Sequence, residues 1–323
     1  MANSLYIASL EAQSGKSVVA LGIMEMLSGM VGRRGYFRPI IPTAEKADNN
    51  IEVIRQRYQL EQTYQESFAF THNAAQLLTS GDSGQAMLKH IVDCYRQLQS
   101  KCRFVLCEGT DFTGVSSAWE FDLNAEIASN LGCPILAVVN GWDKDADEIV
   151  TAAHLAVEAF TEKGCTVATI IVNRVDAKES NEVRTVIREG LDVDIPVFII
   201  PEIPILVRPT VADIARQLKA DVLQGGEDTL HRQVADFKVA AMNIPHFLDF
   251  IAEGDLVIAP GDRTDVILAS LATVLSDTFP TIAGIMLTGG FEQEPQVHRL
   301  MDGFKLSDTP RKKTGASAVP FIV

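Results

Sequence analysis

What this 323-residue chain has little of narrows its class before any motif is considered. Basic residues are outnumbered, 28 Lys and Arg against 42 Asp and Glu, for a formal charge of -14. A nucleic-acid backbone favours a basic surface, so the charge speaks against nucleic acid as a partner but not against a single local pocket for phosphate. No apolar run reaches the length of a membrane span. The N-terminus lacks a basic segment leading into a signal-type core, so neither membrane insertion nor export is expected. The five cysteines are Cys94, Cys102, Cys107, Cys133 and Cys165, an odd number with no C-x-x-C pair. Cys107, Cys133 and Cys165 lie in or beside apolar runs and read as small core residues in a reducing cytoplasm. His72, His90, His154, His231, His246 and His298 are scattered singly, with no zinc-ligand spacing and no Ser/His/Asp arrangement. Internal repeats and low-complexity tracts are absent.

What is present is ordinary α/β composition, 47% hydrophobic and 22% charged, in a chain long enough for two domains. The opening stretch carries the clearest pattern. Leu5–Ser9 is a strand-like apolar run, a small-residue loop follows, and Gly15-Lys16-Ser17 opens an apolar helix. That layout suits a phosphate group: Gly15 lets the backbone approach, and the free N–H groups and dipole of a helix start favour an anion. Ser14 completes the loop, Lys16 adds a charge for the outer phosphates, and Ser17 offers a hydroxyl to Mg²⁺. The full pattern G-x-x-x-x-G-K-[ST] places a glycine where this chain has Leu10. The alternative is an ordinary strand–loop–helix turn with an exposed lysine.

Apolar runs recur at Gly35–Ile41, Phe104–Cys107, Pro134–Val139, Val167–Val172 and Pro196–Ile200. Several are continuous rather than alternating, as in strands buried on both faces of a parallel sheet. Between them, Asp147–Thr161 and Asn181–Glu189 read as crossover helices, and Thr210 is placed to cap a helix ending at Leu218. The expected architecture is a doubly wound α/β domain with ligands outside the carboxyl ends of its strands.

Polar residues collect at those ends. Glu108 can hold Mg²⁺ beside the phosphates or be an exposed strand-end acid, and Asp48 is a second metal candidate or a solvated loop acid. Arg38 can clamp phosphate or sit at the surface before a turn proline. Asn173 and Asp176 can read a purine base, with helix capping the other explanation for Asp176. The fourth run ends in Asn140-Gly141-Trp142-Asp143. Beyond a boundary at 219–228, strands at Phe237–Ala241, Leu256–Ala259, Ile282–Leu287 and Val319–Val323 alternate with helices at Ile244–Ile251 and Val266–Leu275, a second and smaller α/β domain. There Asp262-Arg263 either binds an anion or turns the chain, Gly289-Gly290 reads as a turn, and Ser307–Ser317 reads as a loop.

The order of these segments resembles the N-terminal region of the long form of bacterial phosphate acetyltransferase. The residues that carry the resemblance are Ser14-Gly15-Lys16-Ser17, Tyr36-Phe37-Arg38-Pro39-Ile40, Val105-Leu106-Cys107-Glu108-Gly109, Ile170-Ile171-Val172-Asn173, Asn243-Ile244-Pro245-His246, Gly261-Asp262-Arg263 and Met286-Leu287-Thr288-Gly289-Gly290. The resemblance implies a P-loop NTPase-like, dethiobiotin-synthetase-type domain over residues 1–218, followed by a DRTGG-like domain over 219–323 that breaks off near its last part. It also implies a regulatory role for the P-loop domain as a nucleotide or metabolite sensor. Acetyl transfer between CoA and phosphate then belongs to a separate catalytic domain that this chain does not carry.

Two departures matter. Dethiobiotin synthetases have lysine where this chain has Arg38, and arginine keeps the charge without the ability to deprotonate. The DRTGG signature reads Asp262-Arg263-Thr264-Asp265, without its glycine pair. Three readings stand at this stage. The first is a regulatory Mg²⁺–ATP (or other nucleotide) module that self-associates in the cytoplasm and works with an acetyltransferase domain or chain. The second is an ATP-dependent ligase or cyclising enzyme in which Arg38, Lys16 and Glu108 stabilise a transferred phosphoryl group. The third is a scaffold that has lost its ligand.

Overall fold

The computed structural model describes residues 3–78, 82–110, 117–190, 194–291, 294–305 and 320–322. The loop expected at Ser307–Ser317 lies outside them. Contacts divide the chain into two units, Met1–Glu202 and Ile203–Val323.

The first unit runs β1 (Asn3–Ala8), α1 (Lys16–Met30), β2 (Arg34–Ile41), α2 (Asn49–Arg57), β3 (Phe68–Thr71), α3 (His72–Leu78), α4 (Asp82–Gln99), β4 (Phe104–Glu108), α5 (Ser117–Leu131), β5 (Ile135–Asn140), α6 (Ala146–Glu162), β6 (Val167–Val175), α7 (Ser180–Gly190) and β7 (Val197–Pro201). Its seven strands pair in the order β3-β2-β4-β1-β5-β6-β7, every pair parallel. The six apolar runs of the sequence are six of these strands. β3 was not expected; it is a four-residue edge strand, too short to show a period.

Why those runs are continuous is visible in the packing. Ile7, Tyr36, Leu106, Leu136 and Ile171 point to one face, against Val19, Ala20 and Met24 of α1 and Ile51 and Ile54 of α2. Their neighbours Tyr6, Phe37, Cys107, Ala137 and Ile170 point to the other, against α4, α5, α6 and α7. Both faces are covered, so successive strand residues are all apolar. Asp145 caps α6 with a full capping box to Glu148, which fixes where that crossover begins.

The second unit contains α8 (Val211–Leu218), β8 (Val222–Gln224), α9 (Glu227–Leu230), β9 (Asp236–Val239), α10 (Ile244–Phe250), β10 (Asp255–Pro260), α11 (Thr264–Leu275), β11 (Gly284–Thr288), α12 (Pro295–Lys305) and β12 (Phe321–Ile322). Its sheet is ordered β8-β12-β11-β10-β9, with only β8 antiparallel to its neighbour. Thr210 caps α8 in a capping box with Asp213. Val211, Ile214 and Ala215 of α8 pack on Leu256, Ala283 and Ile322 of the second sheet. Helices α10, α11 and α12 cover the opposite face. Among the described residues no helix is long and apolar enough to cross a membrane.

Candidate functional site

The loop between β1 and α1 is shaped by its own residues. The Ser9 hydroxyl donates to the Glu11 carbonyl at 3.0 Å and accepts the Glu11 N–H at 3.1 Å, a local turn. Gln13 is left-handed at φ 56, and Gly15 at φ 81 is the N-cap residue of α1. Helix α1 has neither a side-chain cap nor an acidic residue in its first turn. Its leading N–H groups are therefore not capped by a side chain. Lys16 is 3% exposed, and Ser14 Oγ is buried without a hydrogen-bond partner among the described residues. An orphaned hydroxyl and a buried ammonium beside an uncapped helix start fit a phosphate group.

Three side chains from neighbouring strand ends strap this loop down. Asn173 Nδ2 donates to the Ser14 carbonyl at 2.8 Å. Arg174 Nη1 donates to the Gln13 carbonyl at 3.3 Å. Lys144 Nζ meets both oxygens of Glu11, at 2.6 and 2.8 Å. Arg174 and Asp143 are themselves left-handed, at φ 68 and 57. Non-glycine residues in that region cluster where structure is tied to function.

Glu108, at the end of β4, is fully buried and forms the second half of the site. Ser17 Oγ donates to its Oε1 at 3.0 Å. Asn50 Nδ2 donates to Ser17 Oγ at 2.6 Å and to Glu108 Oε1 at 3.1 Å. Tyr36 donates its hydroxyl to Oε2. Burial, and then the negative charge of Glu108, push the Tyr36 phenol well above its usual range, so tyrosine is the donor and glutamate the acceptor.

Arg38 and Asp48 lie together, both buried, with Nη1 to Oδ2 at 2.6 Å. Asp48 Oδ1 accepts the Ile51 N–H at 3.0 Å and so caps α2, while the Asp48 N–H donates to Tyr64 at 2.7 Å. One carboxylate oxygen of Asp48 thus caps α2, the helix that carries Asn50, and the other holds Arg38. Asp176 is exposed: its side chain accepts the Lys178 N–H at 2.8 Å in a turn leading to α7. The structure therefore brings Ser14, Gly15, Lys16, Ser17, Glu108 and Asn173 around one loop, pairs Arg38 of β2 with Asp48 at the start of α2, and puts Asp176 at an exposed turn. Tyr36, Asn50 and Lys144 belong to this cluster and were not singled out from sequence. Asn50 left one local trace, a poor helix former two residues after a capping aspartate.

Among the described residues no group of three or more His, Cys, Asp and Glu could hold a metal ion by itself. A hydroxyl and one carboxylate at the phosphate loop nevertheless match what Mg²⁺ takes from a protein when phosphates supply the rest. In the second unit, Arg263 is committed to structure. It pairs with Asp265 at 2.8 and 2.9 Å and donates to the Ala240 and Met242 carbonyls. Gly289 and Gly290, at φ 87 and 65, turn the chain after β11.

The sequence matches the AAA domain family over residues 3–210 and the DRTGG domain family over residues 213–309. It is 40% identical over 312 residues to a phosphate acetyltransferase of Nitratidesulfovibrio vulgaris, covering 94% of this chain and 44% of that protein. It is 37% identical to a phosphate acetyltransferase of Synechocystis, covering 96% of this chain and 45% of that protein. The chain thus spans less than half the length of these relatives. Similar solved structures include a Cyanothece McdA–ATP complex (15% identity, 62% of this chain and 82% of that one, TM-score 0.37) and the MinC:MinD complex of Aquifex aeolicus (13%, 64% and 84%, TM-score 0.40). With an AAA domain and a DRTGG domain in succession and relatives of one name along nearly its whole length, the chain belongs to the family of N-terminal regions of long-form phosphate acetyltransferases.

Proposed function

We propose that the first unit binds a Mg²⁺–nucleotide, ATP in the first instance, at the Ser9–Ser17 loop, and that this binding regulates a phosphate acetyltransferase. The observation that carries the reading is the Ser17–Glu108 hydrogen bond of 3.0 Å beside a helix start that no side chain caps. In this reading the first N–H groups of α1 and Lys16 hold phosphate oxygens, while Ser17 and Glu108 hold Mg²⁺. The ion supplies positive charge that offsets the phosphate oxygens. Arg38 keeps its charge next to the site but spends it on Asp48, which positions α2 and Asn50.

A sensing role fits the commitments of these side chains better than phosphoryl transfer does. Glu108 is held by three donors and Arg38 by a carboxylate, and catalysis needs such groups directed at developing charge on a substrate. Conversion of acetyl-CoA and phosphate to acetyl phosphate and CoA then belongs to the part of the relatives that this sequence does not span. Self-association is part of the same proposal, since a regulatory region acts through its contacts with other domains.

Thermal unfolding with and without millimolar Mg²⁺–ATP tests this. Ligand at a hundredfold over Kd stabilises by about 2.7 kcal/mol, worth roughly 5–10 °C in Tm for a unit of this size. Lys16→Ala is expected to abolish the rise. A folded protein whose Tm ignores Mg²⁺–ATP rules the reading out, and carboxylate-dependent release of ADP would replace sensing by a ligase activity.

A further inference from the structure

Trp142 is an anomaly of the first unit. Large aromatic side chains bury most of their surface, yet this indole is 56% exposed. It is also held in place. The loop after β5 is pinned to β6 by the Gly141 N–H, which donates to the Asn173 carbonyl at 2.7 Å. A β-carbon on Gly141 would come within 2.7 Å of Val175 Cγ2, so only glycine allows that approach. The Trp142 N–H then donates to Asn140 Oδ1 at 3.3 Å, and Asp143 turns the chain away at φ 57.

The ring is tied to the phosphate loop through one residue. The Arg174 guanidinium lies over the indole, 5.0 Å from its centroid. The same guanidinium donates to the Gln13 carbonyl at 3.3 Å and to Glu202 at 2.9 Å. Arg174 reaches this position from a left-handed backbone, φ 68. A clamp of this kind fixes the orientation of the indole relative to Gly15-Lys16-Ser17, while most of the ring surface stays in solvent. An exposed, immobilised aromatic plane two contacts from a phosphate loop is the complement of a nucleobase.

We propose that Trp142, positioned by Arg174, is the stacking platform for the base of the bound nucleotide and gives the site a preference for purines. This rests on the nucleotide reading above and assigns the base end of the same ligand. A purine offers two fused rings to the indole and a pyrimidine one, so stacking area favours ATP and GTP over CTP and UTP. Asn173, expected from sequence to read the base, donates its amide nitrogen to the Ser14 carbonyl.

The test uses the 323-residue chain with Trp119→Phe, which leaves Trp142 as its one tryptophan. Calorimetry and tryptophan emission are followed with Mg²⁺ and, in turn, ATP, GTP, CTP and inorganic tripolyphosphate. Purine nucleotides are expected to change the emission, whereas tripolyphosphate binds without doing so. Trp142→Ala is expected to weaken ATP about tenfold, the order that loss of one base–aromatic stack costs, and to leave tripolyphosphate affinity unchanged. Trp142→Phe recovers part of the loss. If ATP binds the parent and Trp142→Ala equally and leaves the emission unchanged, the platform is refuted while nucleotide binding stands. If neither ATP nor tripolyphosphate gives heat, both readings fall together.

Discussion

The Asn173 amide nitrogen lies 2.2 Å from the point where a β-carbon on Gly15 would sit. It also donates to the Ser14 carbonyl at 2.8 Å, so one side chain both supports the loop and leaves no room for a side chain at Gly15. Gly15→Ala meets that clash in addition to left-handed strain of about 1–2 kcal/mol. The variant is expected to lose more than 2 kcal/mol in urea unfolding. In the Asn173→Ala background, where the bond to Ser14 is already lost, Gly15→Ala is expected to cost less, by the steric part alone. An equal cost of Gly15→Ala in both backgrounds would show that contact with Asn173 contributes nothing.

The buried Arg38–Asp48 pair makes a directional prediction. Asp48→Ala takes a carboxylate from a buried guanidinium and removes the cap of α2. Breaking such a pair from one side costs about 3–5 kcal/mol. Arg38→Met combined with Asp48→Asn replaces the pair by an apolar chain and a neutral cap, and is expected to cost clearly less than Asp48→Ala alone. Denaturant midpoints of the variants decide it; additive losses would mean that the two side chains are energetically independent.

Asn50 donates hydrogen bonds to both Ser17 and Glu108, where a cation would attract the same two oxygens. Asn50→Asp replaces that donor by a second carboxylate. In metal-free buffer the loss of that donor to the buried Glu108 oxygen, with the added like charge, is expected to destabilise the unit by about 1–3 kcal/mol. Mg²⁺ should then reverse most of the loss, because two carboxylates bind it better than one. Tm with EDTA and with millimolar MgCl₂ reads this directly, and a variant insensitive to Mg²⁺ would argue against a cation site at Ser17 and Glu108.

Glu66 supplies a pH dependence. The Lys101 ammonium, followed by the Thr63 N–H and hydroxyl, holds its carboxyl down to about 2 from the ordinary 4.5. Folding thus favours the charged form. The contribution is complete above the unfolded pKa, declines as pH falls from about 4.5 towards 2, and is gone below that. Glu66→Gln is expected to make stability fall less steeply between pH 5 and 3, with the difference modest because Glu66 and Lys101 are partly exposed. Urea midpoints across that range check the slope.

Much of this protein was legible in its sequence. Continuous apolar runs gave the six main strands of the first unit because both faces of a parallel sheet are covered, and that burial is written residue by residue. Gly15-Lys16-Ser17 is likewise a local signal, since a helix start and its preceding loop are adjacent in the chain. Short edge strands such as β3 and β8, of four and three residues, carry too little pattern to be read. The partners within the site were decided only by the tertiary structure. β4 lies between β2 and β1, which brings Glu108 to Tyr36 across 72 residues and to Asn50 across 58. β6 brings Asn173 to Ser14 across 159. Periodicity records whether a residue is buried but not what it is buried against, because strand order is set by crossovers that no local pattern encodes. For that reason the sequence could name Asp48 and Asp176 as candidates, and only the fold could show that Asp48 serves Arg38 and a helix cap while the Asp176 side chain holds an exposed turn.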